Sequence, residues 1–170
     1  INDLNFFKWL DKNYMKIFNL ENKTIIYAIY KSIKIKSRFV TSDTAEVLTN
    51  NNSRAMLNFG HTFGHALENF YKYDKLTHGE AISIGMIVAS KLSNKIGTLN
   101  SDDLNKIIKH FNKVGLPIFD VNVKNKKIIN IVTKDKKNIS EKINLILIKK
   151  IGQAYYLRNQ NINNIFKLLD

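Results

Sequence analysis

The sequence predicts a mainly α-helical fold: several helices in succession, with one small β-hairpin near the end. Three observations carry this. Apolar residues recur at spacings of three and four through most of the chain. Strict alternation appears only near the C-terminus. No glycine-rich turn follows a strand, so the βαβ unit of a dinucleotide-binding domain is not expected.

A first helix is expected over Leu4–Phe18, where Leu4, Phe7, Leu10, Tyr14 and Ile17 form a stripe. Residues 22–41 form a longer helical pattern, with Ile25, Ile26, Ile29, Ile33 and Val40 apolar. Residues 44–53 include the run Asn50-Asn51-Asn52 and read as a loop. A helix bearing His61 and His65 is predicted from Ser53 or Arg54 to about Tyr71. Residues 72–77 connect it to the most apolar helix, 78–96, which presents Ile82, Met86, Ala89 and Leu92 on one face. Small residues there (Ala81, Ser83, Gly85, Ala89, Ser90) predict close packing on it, so it is placed at the centre of the fold. Gly97 ends it. Ser101 reads as the cap of the next helix, with Asp102 and Asp103 in its first turn. That helix carries Leu104, Ile107, Ile108 and Phe111 and stops near Gly115; its His110 reads as a packing or solvated histidine. Leu116-Pro117-Ile118 is a turn, 125–133 a short helix and 134–138 a basic loop. Residues 143–149 alternate as a strand and pair with 153–158 across Lys150-Ile151-Gly152. A helix over 161–169 closes the chain. No repeat or linker divides it, so one domain is expected over residues 1–170.

Composition excludes several function classes. A hydrophobic share of 44% over 170 residues is that of a globular chain with a real core. Without cysteine there is neither a disulfide framework nor a thiolate metal site. There is no signal peptide and no apolar run long enough to span a bilayer, so a cytoplasmic location without a membrane partner is expected. The chain begins at Ile1 rather than Met and reads as a fragment. The net charge of +13 invites a nucleic-acid reading. Yet the positive charge is nearly all lysine, with arginine only at Arg38, Arg54 and Arg158, and lysine, asparagine and isoleucine are abundant together, as AT-rich codons produce. No nucleic-acid partner is expected. A positive field suits an anionic, phosphorylated small-molecule substrate.

Three of the four histidines, His61, His65 and His78, lie within residues 58–80, NFGHTFGHALENFYKYDKLTHGE. His61 and His65 are four apart and share one helix face. His78 opens the following helical pattern, so two helices meet with imidazoles at their facing ends. Neutral imidazole is a common zinc ligand, and a catalytic zinc takes three protein ligands plus an open position. Gly60 and Gly64 leave room for a substrate or a partner helix. Glu80 places a carboxylate in the first turn of the second helix. The pair lacks the glutamate of H-E-x-x-H, so that metalloprotease signature is absent.

The wider pattern is Arg54-x-x-x-Asn58-x-Gly60-His61-Thr62-x-Gly64-His65-Ala66-x-Glu68, then Leu76-x-His78-Gly79-Glu80-Ala81. It closely resembles the signature of the 3-dehydroquinate synthase family. The resemblance covers nearly the whole chain but only the C-terminal half of the family's protein. It implies a preceding Rossmann-like domain that binds NAD, missing here, and a helical domain carrying metal and substrate groups, which this chain supplies. It implies zinc or cobalt, with His61 and His78 as two ligands. The family's third ligand, a glutamate, and a substrate lysine belong to a segment just before Ile1. His65 matches a histidine that contacts the substrate phosphate, Asn58 matches another phosphate contact, and Arg54 matches the arginine that receives the substrate carboxylate. A guanidinium fork suits that last role. Lys36, seven residues before Asp43, and Glu46, three after it, match family positions at the reacting centre, although the loop from Glu46 to Arg54 is longer than the usual pattern. Asp135-Lys136-Lys137 matches a motif that provides a phosphate-binding lysine, with Lys136 and Lys137 equal candidates.

The implied reaction converts 3-deoxy-D-arabino-heptulosonate 7-phosphate to 3-dehydroquinate and phosphate in the shikimate pathway of aromatic amino acid biosynthesis. NAD oxidises a secondary hydroxyl, phosphate leaves by elimination, the ketone is reduced, the ring opens, and an intramolecular aldol closes the carbocycle. The metal polarises the hydroxyl. By the resemblance the complete enzyme is a homodimeric lyase, and the fragment alone is expected to be inactive. Three alternatives stay open. Another sugar-phosphate cyclase, such as a 2-deoxy-scyllo-inosose synthase, shares fold, zinc and NAD but takes a substrate without a carboxylate. A glycerol-dehydrogenase-like metal alcohol dehydrogenase needs no Asn58/His65/Lys136 phosphate set. A non-catalytic helical binding module would have no use for the retained Arg54, Asn58, His61, His65 and His78.

Overall fold

The computed structural model describes residues 2–134 and 142–169. Its elements are helices α1 (Leu4–Phe18) and α2 (Asn22–Ser42), a 3-10 turn (Arg54–Asn58), α3 (His61–Phe70), α4 (His78–Lys95), α5 (Ser101–Lys113), a second 3-10 turn (Val121–Lys124), α6 (Lys126–Lys134), strands β1 (Lys142–Lys150) and β2 (Gln153–Asn161), and α7 (Ile162–Leu168). The predicted fold class holds: helices throughout, with one antiparallel hairpin near the end. No helix among the described residues is long and apolar enough to cross a membrane.

The centre is α4. Apolar or small around most of its circumference, with Lys91 and Lys95 turned outward, it buries eleven residues, and Ala81, Ile87 and Leu92 are wholly enclosed. A helix so largely apolar belongs inside. On one side it meets α3, on another β1, where Ile143, Leu145, Ile146, Leu147 and Ile148 are buried. One hydroxyl stitches helix to strand: Ser93 Oγ donates to the Ala89 carbonyl at 2.7 Å and accepts the Ile148 N–H at 3.1 Å. The alternation predicted for β1 therefore breaks over residues 145–148, which are buried on both faces.

The periphery departs from the sequence reading in three ways. The stripe predicted for α1 is only half-buried, with Leu4 exposed, and Phe6 is the residue that seats the helix. In α2, Ile26, Ile29 and Ile33 lie at 65, 54 and 61% exposure, and the helix is seated by Thr24 and Phe39 instead. The cause is geometric: α2 is met mainly by α1 and the first 3-10 turn, which reach its other side. The cap of α5 is Asn100 rather than Ser101, its side-chain oxygen accepting the Asp103 N–H at 2.8 Å. His110 is a packing histidine, as read: it contacts Asp11 at 2.9 Å through Nδ1 and stacks near Phe7, so it ties α5 to α1.

Candidate metal and substrate site

The helix expected to run from Ser53 or Arg54 through His61 does not exist as one piece. Residues Arg54–Asn58 form a 3-10 turn, Gly60 adopts φ +83°, and α3 begins afresh at His61. Only glycine takes that backbone readily, and space enforces it: a Cβ on Gly60 would lie 2.6 Å from the Met86 N of α4. Gly85 of α4 answers from the other side, where a Cβ would press into the Gly60 carbonyl. Gly64 extends the contact, its Cβ position falling 3.1 Å from the Ala81 carbonyl oxygen. The room that Gly60 and Gly64 were expected to leave is taken by a partner helix, and that helix is α4. The break turns Arg54 and Asn58 off the α3 axis into a cleft.

The close approach sets three imidazoles together. His61 and His78 are the first residues of α3 and α4, and His65 lies one turn further along α3. Ring centres are 5.1 Å apart for His61–His65, 5.7 Å for His61–His78 and 5.9 Å for His65–His78. The start of α4 is held by a capping box: Thr77 N–H donates to Glu80 Oε2 at 2.8 Å, while the Thr77 hydroxyl accepts the Glu80 N–H. The Thr77 N–H and the Thr77 hydroxyl, which also donates to Glu80 Oε2 at 2.8 Å, hold the Glu80 carboxyl below its ordinary value, and its work is to fix where α4 begins.

Each candidate ligand has one ring nitrogen engaged. His61 Nδ1 lies 3.4 Å from the Phe59 carbonyl, and a carbonyl can only accept, so Nε2 is left with the lone pair. His78 Nδ1 lies 2.9 Å from Glu68 Oε1, which likewise leaves Nε2 of His78. Burial lowers the His61 pKa, and the neighbouring His65 and His78 push the same way against the Phe59 contact and the Glu68 charge, which favours the neutral imidazole that a metal needs. Two imidazoles on one zinc at about 2.0–2.1 Å and tetrahedral angle have ring centres about 5 Å apart. The His61–His78 separation comes within an ångström of that, so the residues present fit the metal. His65, Glu68 and His78 also form a compact donor group, with ligand atoms within 4.8 Å of one another.

The other candidates gather alongside. A cleft of about 600 Å³ is lined by Lys36, Glu46, Arg54, Asn58 and His61, with α1 as its far wall. A second, of about 680 Å³, shares Glu46, Asn58 and His61 and adds His65 and the hairpin residues Asn144 and Tyr156. A third is lined by His65, Glu68 and His78. Arg54 faces Glu46, Nε to Oε2, at 3.9 Å. Thus Lys36, Glu46, Arg54, Asn58 and the three histidines occupy adjoining recesses. Lys136 and Lys137 lie outside the described residues.

Two residues here were given no task in the sequence reading. Glu68 stands three after His65 and seven after His61, a spacing that shares their helix face and was itself a legible signal. Asp43, buried, closes the long loop: its carboxylate accepts N–H groups from Val47 at 2.8 Å, Leu48 at 3.2 Å and Arg54 at 3.0 Å. Burial alone would raise its pKa, but these donors and Ser53 outweigh it and hold the carboxyl below its ordinary value.

The family profile described as 3-dehydroquinate synthase C-terminal matches residues 1–138. A 3-dehydroquinate synthase of Buchnera aphidicola subsp. Baizongia pistaciae is 35% identical over 168 residues, which is 98% of this chain and 46% of that protein. One from Vesicomyosocius okutanii subsp. Calyptogena okutanii is 39% identical over 93% of this chain and 43% of its own length. The chain thus spans under half the length of these relatives. Among solved structures, ValA, a 2-epi-5-epi-valiolone synthase from Streptomyces hygroscopicus subsp. jinggangensis with NAD+ and Zn2+ bound, superposes with TM-score 0.79 over 99% of this chain and 46% of its own, at 17% identity. A 2-deoxy-scyllo-inosose synthase complexed with carbaglucose-6-phosphate, NAD+ and Co2+ superposes with TM-score 0.55 over 68% of this chain and 33% of its own, at 26% identity.

Proposed function

Because the chain belongs to the 3-dehydroquinate synthase family, as its C-terminal part, we propose that it supplies the metal-holding and substrate-binding half of an enzyme that converts 3-deoxy-D-arabino-heptulosonate 7-phosphate to 3-dehydroquinate and phosphate. The observation that carries this reading is the meeting of His61 and His78 at two helix starts, beside a cleft that gathers Lys36, Arg54 and Asn58.

In this reading His61 and His78 hold zinc or cobalt through Nε2. When bound, the metal acts as a Lewis acid on the hydroxyl that NAD oxidises. Arg54 takes the substrate carboxylate as a two-pronged partner, exchanging its present neighbour Glu46 for the ligand's carboxylate. Asn58 and His65 meet the phosphate together with Lys136 or Lys137, and His65 serves its elimination. Lys36, on α2, adds positive charge from the opposite wall. NAD is held by a part of the longer protein outside this chain, the complete protein works as a homodimer, and it acts in the cytoplasm.

The test is a comparison of two proteins. The chain by itself, given NAD, zinc and the sugar phosphate, releases no phosphate, while the complete protein does and forms 3-dehydroquinate. Phosphate release by the chain alone overturns the division of labour. Preference of the complete protein for a hexose 6-phosphate without a carboxylate overturns the substrate and favours a 2-deoxy-scyllo-inosose-type cyclase.

A further inference from the structure

We infer that Glu68 is the positioning residue of the metal site: its buried carboxylate fixes the tautomer and orientation of His78 and so sets how tightly the site holds a metal. This rests on reading His78 as a ligand, and it gives a task to a buried charge that the substrate chemistry does not use.

The argument begins with a cost. A carboxylate with 7% of its side chain exposed is expensive to keep unless it is paired. Glu68 lies in the last turn of α3, on a helix whose Phe63, Ala66 and Leu67 are all buried, where an apolar residue would be the simple choice. Its partner is the Nδ1 of His78, at 2.9 Å. The histidine itself is largely open, with 62% of its side chain exposed. A neutral surface imidazole on its own turns freely and favours its proton on Nε2, whereas this one is anchored at Nδ1 by a rigid acceptor. A carboxylate accepts from Nδ1–H, so the lone pair is fixed on Nε2 of a ring whose centre lies 5.7 Å from that of His61 and 5.9 Å from that of His65.

The same contact decides between two roles for Glu68. Were it a ligand beside His78, a metal would have to lie between their donor atoms, each about 2.0–2.2 Å from the ion. At 2.9 Å the two atoms are in direct hydrogen-bond contact, closer than a tetrahedral pair of ligands sits. Glu68 therefore acts through His78. Carboxylates that orient metal-bound histidines typically contribute roughly ten- to a hundredfold in metal affinity. The backbone supports the arrangement independently: the Glu68 carbonyl accepts the Tyr73 N–H at 2.9 Å, which pins the end of α3 where the carboxylate sits.

The experiment uses the 170-residue chain, isotopically labelled, and its Glu68→Gln and Glu68→Ala variants, at a pH of about 8 where ordinary imidazoles are neutral. Nitrogen-15 imidazole spectra of the metal-free chain read the His78 tautomer, and cobalt(II) titration reads affinity and coordination. In the wild type, His78 carries its proton on Nδ1. Glu68→Gln, which keeps an acceptor oxygen but no charge, retains that tautomer with intermediate affinity. Glu68→Ala loses it and binds cobalt roughly ten- to a hundredfold more weakly, while circular dichroism matches the wild type. If Glu68→Ala keeps both tautomer and affinity while His61→Ala and His78→Ala lose cobalt, this inference falls and the metal reading stands. If Glu68→Gln changes the coordination class of the cobalt spectrum, Glu68 is a ligand and the inference falls. If cobalt binding is absent or indifferent to His61→Ala and His78→Ala, the metal reading falls and takes this inference with it.

Discussion

Substituting Gly85 by alanine tests how the site is assembled. A Cβ there would press into the Gly60 carbonyl and stand 2.8 Å from the Gly64 N, and both obstacles are backbone. Reaching ordinary contact of about 3.5 Å requires α3 and α4 to part by about 0.7 Å or more. Overpacking of this kind costs about 1–3 kcal/mol, and because no flexible side chain can give way, we expect the upper end, about 3 kcal/mol. For a chain of this size that lowers Tm by roughly 6–12 °C. The displacement also exceeds the tolerance of a metal site, about 0.2 Å in ligand distance, so cobalt affinity should fall with stability. A matched control lies in the same helix. Gly79 has nothing within 4 Å of its Cβ position, so Gly79→Ala should leave stability unchanged or raise it by up to about 1 kcal/mol through helix propensity. Chemical denaturation of both variants, with cobalt titration, decides. If Gly85→Ala unfolds at the wild-type midpoint, the helices are not locked backbone to backbone and the account of the histidine cluster is wrong.

Three further outcomes are expected. Ser93→Ala removes the acceptor of the buried Ile148 N–H and should cost about 1–3 kcal/mol, measured by urea unfolding; a neutral result would mean that the strand finds another partner. Asp43, with its folded pKa lowered, contributes stability that is present above the ordinary carboxylate value and is lost as pH falls through the folded one, so the protection of the Val47, Leu48 and Arg54 amides relative to their intrinsic exchange should fall as pH drops below the ordinary carboxylate value of about 4, and Asp43→Asn should show the same loss of protection at neutral pH. In the complete protein, His61→Ala should lose zinc and with it the oxidation, while His65→Ala should keep zinc and lose roughly ten- to a hundredfold in kcat/KM, or about 1.5–3 kcal/mol; zinc loss from His65→Ala would reverse the two assignments.

The inner half of this architecture is legible in the sequence because its residues admit one placement. A helix such as Ala81–Ala89, apolar or small on every side, has nowhere to go but the centre. The histidine spacing likewise survives into three dimensions. What was hidden depends on partners distant in the chain. Gly60 sits in a helical pattern and looks like a small interior residue; only the approach of Gly85 makes it a break. Ile26, Ile29 and Ile33 look like a core stripe, yet periodicity states that a face is apolar and not which element covers it. Asn100 and Ser101 are both good caps, and one residue of register separates them. Glu68 was visible in the motif, but its partner His78 stands ten residues on, across a turn whose geometry no spacing rule supplies.

The unequal burial of the helices has a consequence for motion. The far wall of the Lys36 cleft is built by α1 and α2, whose own buried residues are Phe6, Thr24 and Phe39. Side-chain ties fasten that wall, His110 to Asp11 and the Ala154 N–H to Asn2, while Lys31 to Asp3 joins α2 to α1 within it. The floor, bearing His61 and His78, is welded to α4. Apart from Phe39, which shares a buried cluster with Met56, Phe59 and Phe63, the wall is lightly buried, and local opening costs least where burial is least. In native-state hydrogen exchange the amides of α1 and α2 should open together and early, while those of α4 wait for global unfolding. Such an opening of α1 and the outer part of α2 would leave the distances among the imidazoles unchanged.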